Sequence, residues 1–206
     1  MLPEKNTAKI RAWASRHISY AGRLVLVNTV LFGMFNFWAQ VFILLQDVVN
    51  QVMKLCRNFL WGGNENYQKT LYVAWEKLCT HRKQGGLGIK NLQDWNMACI
   101  AKLVWATAQK KDTLWVQWVH RRYLKGTHWW EYTPKSDTSW YWQKLQNVKN
   151  RFRDYPREVY RVTEEYNWLL QETKKPKWAK LVWSRTCIPR HSFTMWLFMQ
   201  SRLPVL

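Results

Sequence analysis

The chain has 206 residues, enough for one compact domain or one domain with an appendage, and 48% of them are apolar, which excludes wholesale disorder. Lys and Arg number 32 against 13 Asp and Glu, a formal net charge of +19 that a partner must screen. Nucleic acid meets that need through phosphate contacts and counterion release; an anionic membrane surface is the competing reading. Sixteen Trp are spread from Trp13 to Trp196. Most must serve helix–helix packing, with a few left to stack on bases. Cysteines at 56, 79, 99 and 187 form no C-x-x-C pair, and no secretory signal opens the chain, which predicts a reducing, intracellular setting, nuclear or cytoplasmic. Lys5, Lys9, Arg11, Arg16 and Arg23 against Glu4 alone leave a mitochondrial presequence as the lesser alternative.

The hydrophobic pattern is helical almost throughout and predicts a mainly α fold. A first helix is expected from about Asn6 to Phe35, broken near Gly22 or Gly33 and buried because its centre is apolar on both faces. Between Arg23 and Asp47 lie 23 residues whose only polar members are Asn28, Thr29, Asn36, Gln40 and Gln46, just long enough to span a membrane. The internal polar residues and Gly33 argue for a core helix instead. A second helix starts at Asp47 as N-cap, repeats Val48, Val52, Leu55, Phe59 and Val49, Met53, Cys56, Leu60, and ends at Gly62 and Gly63, leaving Lys54 and Arg57 outside. Tyr67 to Trp75 reads either as a short strand or as the approach to a helical turn ending at Cys79. After the Gln84-Gly85-Gly86-Leu87-Gly88 loop, Asn91 and Asp94 stand as N-cap and N3 of a third helix through about Lys110. Asp112 caps a fourth, Thr113 to Lys125, with Arg121, Arg122 and Lys125 at its end, where cations suit the macrodipole. Beyond Gly126 the pattern changes to shorter, irregular helices separated by Pro156, Pro176 and Pro189, which predicts two parts, 1–125 and 126–206. The apolar segment Ser192 to Leu206 stops without a following domain, as in a chain cut short.

Signs of catalysis are missing. Two-metal chemistry needs two or three carboxylates together, whereas the one adjacent acidic pair, Glu164-Glu165, reads as a solvated helix face. No Tyr-x-Asp-Asp occurs. The close Cys/His pairs, Cys79 with His81 and Cys187 with His191, lack a second pair at finger spacing, so buried thiols, surface imidazoles and no bound metal or other cofactor are expected. Gly85, Gly86 and Gly88 lack the Lys-Ser/Thr of a P-loop and read as a structural turn. What is present is basic residues interleaved with aromatics on helices: Arg16, Tyr20 and Arg23 at i, i+4, i+7, then Lys54 and Arg57, then Arg121, Arg122 and Lys125. Such faces track a phosphate backbone without reading sequence.

Several segments together resemble the C-terminal part of plant non-LTR, LINE-type retrotransposon reverse transcriptases. The strings are Arg16-His17-Ile18-Ser19-Tyr20-Ala21-Gly22-Arg23-Leu24, Leu55-Cys56-Arg57-Asn58-Phe59-Leu60-Trp61-Gly62, Gly85-Gly86-Leu87-Gly88-Ile89-Lys90-Asn91-Leu92, Asn96-Met97-Ala98 and Ala101-Lys102-Leu103-Val104-Trp105. Their order and spacing agree over about residues 10–125. Trp178, Val182-Trp183, Ile188-Pro189-Arg190-His191, Phe193, Trp196 and Arg202-Leu203 look like the opening of the zinc-binding domain that follows in those proteins. The chain departs from the family at Leu45, where Leu-Pro is usual, at His81, where Pro commonly precedes the basic residue, and at Val205, where Thr is common. These departures leave open a gene put to new use.

The resemblance implies a helical, thumb-like bundle followed by a smaller connection. The catalytic aspartates would lie before residue 1 and the zinc ligands after residue 206. It implies that Arg16, Tyr20, Arg23, Lys54 and Arg57 face a template–primer duplex, and that Gly85, Gly86 and Gly88 orient the third helix. The expected partner is RNA or an RNA–DNA duplex, bound without sequence preference. The rival reading is a domesticated, Trp-rich scaffold that binds a protein partner; a membrane-associated protein using residues 24–46 is the third.

Overall fold

The computed structural model describes residues 2–14, 17–66, 72–154, 159–170, 175–184 and 186–203. Among them the chain is mainly helical and contains no strand. The first helix, Leu2–Ala14, ends well before either expected glycine. The next begins at Tyr20 because the Ser19 hydroxyl accepts the Gly22 amide at 3.3 Å, filling one orphan donor of the first turn. It runs unbroken from Tyr20 to Ala39 through both Gly22 and Gly33, with one widened, π-type turn at Val27–Leu31. Thr29 donates its hydroxyl to the Val25 carbonyl at 2.8 Å beside that turn, a back-bond that loosens helical geometry. By length and composition this helix could cross a membrane. Its Ala21, Leu24, Val27, Leu31 and Phe35 are buried along one stripe, while Val25 and Phe37 stand exposed, so the helix buries one face and not both as expected.

The Gln46–Gly62 helix follows, capped by extended Leu45, so that Asp47 lies in the first turn and favours the positive helix end without capping it. Left-handed Gly63 closes it, donating its amide to the Phe59 carbonyl at 2.9 Å. Trp75–Cys79 is helical, the second of the two readings; residues 67–71 of the alternative strand lie outside the described set. A 3₁₀ turn at Arg82–Gln84 leads into the glycine loop. Leu92–Ala108 comes next, then Leu114–Val119, whose N-cap is Thr113 and not Asp112. That helix widens into a π-type turn at His120–Leu124 and stops at left-handed Lys125. Trp140–Arg151, Val162–Leu169, Trp178–Val182 and Pro189–Met199 complete the chain.

These elements form two compact units whose membership does not follow chain order. Met1–Phe37, Leu45–Leu92 and Glu172–Leu206 make the first; Trp38–Leu44 and Gln93–Gln171 make the second. Residues 126–206 are therefore not one body. The junction expected near 126 falls inside the second unit, and the C-terminal 35 residues join the first.

In the first unit Leu2–Ala14 packs on Gln46–Gly62 through Ile10, fully buried, and Trp13, whose ring lies 5.5 Å from that of Phe59. Pro189–Met199 packs on the start of the Tyr20–Ala39 helix. Trp196 is fully buried and donates its indole N–H to the Gly85 carbonyl at 2.7 Å, 111 residues earlier. Phe193 stacks on Tyr20 at 5.5 Å and 6°. The second unit closes over Ile100, Val104, Val119, Leu124, Trp129, Trp142 and Leu145. Within it the Asn96 amide ties down the 39–44 segment, donating to the Ala39 and Phe42 carbonyls at 2.9 and 2.8 Å and accepting from the Leu44 amide at 2.9 Å.

Candidate nucleic-acid interface

Of the first basic face, Arg16 lies outside the described residues, and Tyr20 and Arg23 are turned to internal use. Tyr20 sits between Phe193 and Trp61, and burial pushes its phenol up from the usual value, aided by Tyr72 and opposed by Arg23. The Arg23 guanidinium lies 5.2 Å from the Tyr20 ring and donates to the Trp61 and Leu60 carbonyls at 3.4 and 3.5 Å. Those carbonyls belong to the last turn of Gln46–Gly62, where a cation satisfies orphan acceptors and opposes the negative helix end. Arg23 is thus a half-buried helix cap.

The second pair divides as well. Lys54 is exposed. Arg57 is half-buried, with its guanidinium 5.8 Å from the Trp75 ring and its Nε buried without a hydrogen-bond partner. In the other unit Arg121, Arg122 and Lys125 all stand exposed at the end of their helix. They are the predicted site residues that the fold leaves together and open to solvent.

The glycine loop is a turn built on close approach. Gly88 and Leu87 donate their amides to the Thr80 and Leu78 carbonyls at 3.0 and 3.2 Å, folding the loop back on Trp75–Cys79. A Cβ on Gly86 would lie 2.1 Å from the Thr80 oxygen, a clash with backbone, and Gly85 has φ 89°. The Gly85 carbonyl is the acceptor for Trp196, so the turn also anchors the C-terminal helix.

The acidic pair corrects one expectation. Glu164 meets Arg161 at 3.3 Å, whereas Glu165 is 1% exposed, has a buried oxygen without a partner, and burial pushes its carboxyl up to about 8. Successive helical residues diverge by about 100°, so the two carboxylates do not make a metal-holding pair. The thiols follow expectation at Cys56, Cys79 and Cys99, which are buried, and depart from it at exposed Cys187. Burial pushes the Cys56 thiol up to about 12, far from the thiolate a metal requires. The Ser184 hydroxyl donates to the Cys187 sulfur at 3.1 Å. Among the described residues no three of His, Cys, Asp and Glu come together.

Residues 160–206 match the family described as zinc-binding in reverse transcriptase. Over 146 residues the chain is 31% identical to an Arabidopsis thaliana protein named "Putative ribonuclease H protein", with 69% of this chain and 23% of that protein covered. Over 88 residues it is 31% identical to an uncharacterized mitochondrial protein of the same plant, with 42% of this chain and 57% of that protein covered. Residues 160–206 are thus similar to the zinc-binding segment of reverse transcriptases. It spans less than two thirds of the length of either relative, and no solved structure matches it. The matched segment offers Cys187 and His191 as its only thiol and imidazole, too few for the Cys/His set of a structural zinc, so the described residues do not fit the metal in the family's description.

Sequence reasoning missed the inward turn of Arg23 and Glu165 and the tethering role of Asn96. It also missed Lys110 and Lys111, two adjacent cations in the turn before the Arg121 helix, although the Lys-Lys-Asp-Thr string was a readable signal.

Proposed function

We propose that the chain is a non-catalytic, nucleic-acid-binding region of a LINE-type reverse transcriptase, equivalent to the thumb and the connection after it. It holds RNA or an RNA–DNA duplex by its phosphates, without sequence preference and without a cofactor, inside the cell. The observation that carries this reading is the placement of charge: Arg121, Arg122 and Lys125 stand exposed together in a chain of net charge +19. The similarity of residues 160–206 to the zinc-binding segment of reverse transcriptases supports it. Lys54 adds a fourth exposed cation, while Arg23 and Tyr20 serve by holding the Gln46–Gly62 helix in place.

The test is binding of the full chain to an RNA–DNA hybrid across a salt series. Several phosphate contacts predict steep salt dependence, with roughly 0.9 unit of log–log slope per contact on B-form duplex as a guide. Replacing Arg121, Arg122 and Lys125 by Gln should flatten that slope by about two to three units. Absent or salt-insensitive binding would refute the reading. Magnesium-dependent primer extension by the purified chain is expected to be absent; its presence, lost on changing one acid, would refute the non-catalytic assignment.

One observation favours the protein-binding alternative. Ile188, Met195 and Phe198 are exposed along the Pro189–Met199 helix, an apolar face of the kind that meets protein. Salt-insensitive association with a protein, lost on Phe198→Ser, would favour that alternative over the first.

A further inference from the structure

The turn joining Leu92–Ala108 to Leu114–Val119, in the second unit, encloses an open hollow of about 320 Å³. It is lined by Lys110, Lys111, Asp112, Gln117, His120 and Arg121, with buried Val116 behind them. At about 30 Å³ per water this is room for roughly ten waters, or for one hydrated phosphate group. We propose that this hollow is a phosphate-binding pocket, a discrete subsite that takes one phosphate group of a nucleic acid. The inference rests on the nucleic-acid reading above and gives it a location.

Three features carry it. Charge comes first: Lys110, Lys111 and Arg121 place three cations around the hollow against the single carboxylate of Asp112. That carboxylate is already engaged, because Gln117 donates its amide to an Asp112 oxygen at 2.6 Å. It would still repel an anion to some extent, and the three cations outnumber it.

Shape is second. Lys110 takes the left-handed conformation at φ 49°, where glycine is the ordinary choice and a side chain carries strain. Its amide and that of Lys111 return to the Thr107 and Ala106 carbonyls at 3.1 and 3.0 Å, so the turn is a closed helix terminus that fixes where both lysines leave the backbone. Preorganisation is third. The His120 Nε2 donates to the Thr107 carbonyl at 3.0 Å, and the Lys111 carbonyl accepts from the Thr113 amide at 2.8 Å, holding the two walls in register. Arg121 offers a planar fork of donors and each lysine a point charge, the combination that recognises phosphate oxygens.

The experiment compares two double variants of the full chain that remove equal charge from the same helix region. Lys111→Gln with Arg121→Gln empties the pocket of two cations; Arg122→Gln with Lys125→Gln removes two neighbours that do not line it. Inorganic pyrophosphate should shift the backbone NMR signals of residues 110–121 in the parent and in the second variant, and not in the first. Binding of an RNA–DNA hybrid should weaken about tenfold more in the first variant than in the second, as expected for losing charge-assisted hydrogen bonds. A 5′-phosphorylated strand that outcompetes its 5′-hydroxyl counterpart assigns the site to a chain end; equal competition assigns it to the backbone. Equal losses in both variants, or pyrophosphate shifts not confined to the turn, would overturn the pocket while leaving general nucleic-acid binding in place. Pyrophosphate binding with no hybrid binding would leave the pocket standing and overturn the nucleic-acid reading.

Discussion

Trp196 gives the sharpest test of how the first unit is built. It is fully buried, lies 5.8 Å from the Phe193 ring, and its N–H is the partner of the buried Gly85 carbonyl at 2.7 Å. Trp196→Ala removes the indole and leaves both a cavity and an orphaned carbonyl. Large-to-small changes of this kind cost about 3–5 kcal/mol, and an unsatisfied buried acceptor accounts for about 1–3 kcal/mol of such a loss. Trp196→Phe keeps most of the ring and loses the hydrogen bond, so its cost should fall near the smaller figure. The assay is hydrogen exchange at the Leu87 and Gly88 amides, whose acceptors are the Leu78 and Thr80 carbonyls, together with the denaturant midpoint of the full chain. Faster loop exchange, graded Ala over Phe, is expected. A Trp196→Ala chain that loses less than about 1 kcal/mol, with unchanged loop exchange, would refute the claim that residues 172–206 belong to this core.

Glu165 sets a pH dependence. Its carboxyl is raised from 4.5 to about 8 by burial, so between those values the unfolded chain gives up a proton that the folded chain keeps, and stability should fall as pH rises through that window. Glu165→Gln should therefore stabilise the chain at pH 8 and above while changing little near pH 4.5, which denaturation midpoints at the two pH values will check; equal effects at both would contradict the assignment. Gly86→Ala drives a Cβ to 2.1 Å from the Thr80 oxygen and should destabilise by about 1–3 kcal/mol, whereas Gly33→Ala meets nothing within 4 Å inside a helix and should stabilise by about 0.5–1 kcal/mol. Thermal unfolding separates the two, and equal signs would undo the reasoning. Arg23→Gln should lower stability by releasing the Leu60 and Trp61 carbonyls, while Lys54→Gln should leave stability unchanged.

Local patterns were legible in the sequence and distant partners were not. The double repeat from Val48 to Leu60 located the Gln46–Gly62 helix and its inner face, since Val49, Val52, Cys56, Phe59 and Leu60 are buried. Its start was misplaced because Asp47 has capping chemistry, while the residue that takes the extended cap conformation is Leu45. Arg23 has the spacing of an exposed basic face. Its carbonyl partners lie 37 and 38 residues further on, and no local window contains them. Glu165 is buried on the same short helix as Tyr166, whose ring packs edge-on against Trp95 some 70 residues away in sequence, so the helix docks through a contact that no local window contains. Asn96 was visible as part of a recurring string, and its physical reason appears only when the 39–44 segment is folded against it.

The change in pattern near residue 126 marks the end of one helix, at left-handed Lys125 and Gly126, inside the second unit; the chain returns to the first unit at Glu172. This bears on the family match, because residues 160–206 are divided between the units and the matched stretch is not a folding unit of its own. What holds its larger part in place is aromatic burial: Trp196 on Gly85, Phe193 on Tyr20, and the Trp183 ring 4.8 Å from the Arg82 guanidinium. Each contact joins the C-terminal segment to residues near the start or middle of the chain, so cohesion comes from apolar area and one buried hydrogen bond. A metal-held module would behave differently under chelation, since its ligands would contribute most of its folding energy. Chelator should therefore leave the loop exchange at Leu87 and Gly88 unchanged in the parent chain; accelerated exchange on adding it would show that metal ligation, and not the Trp196 contact, holds the segment down.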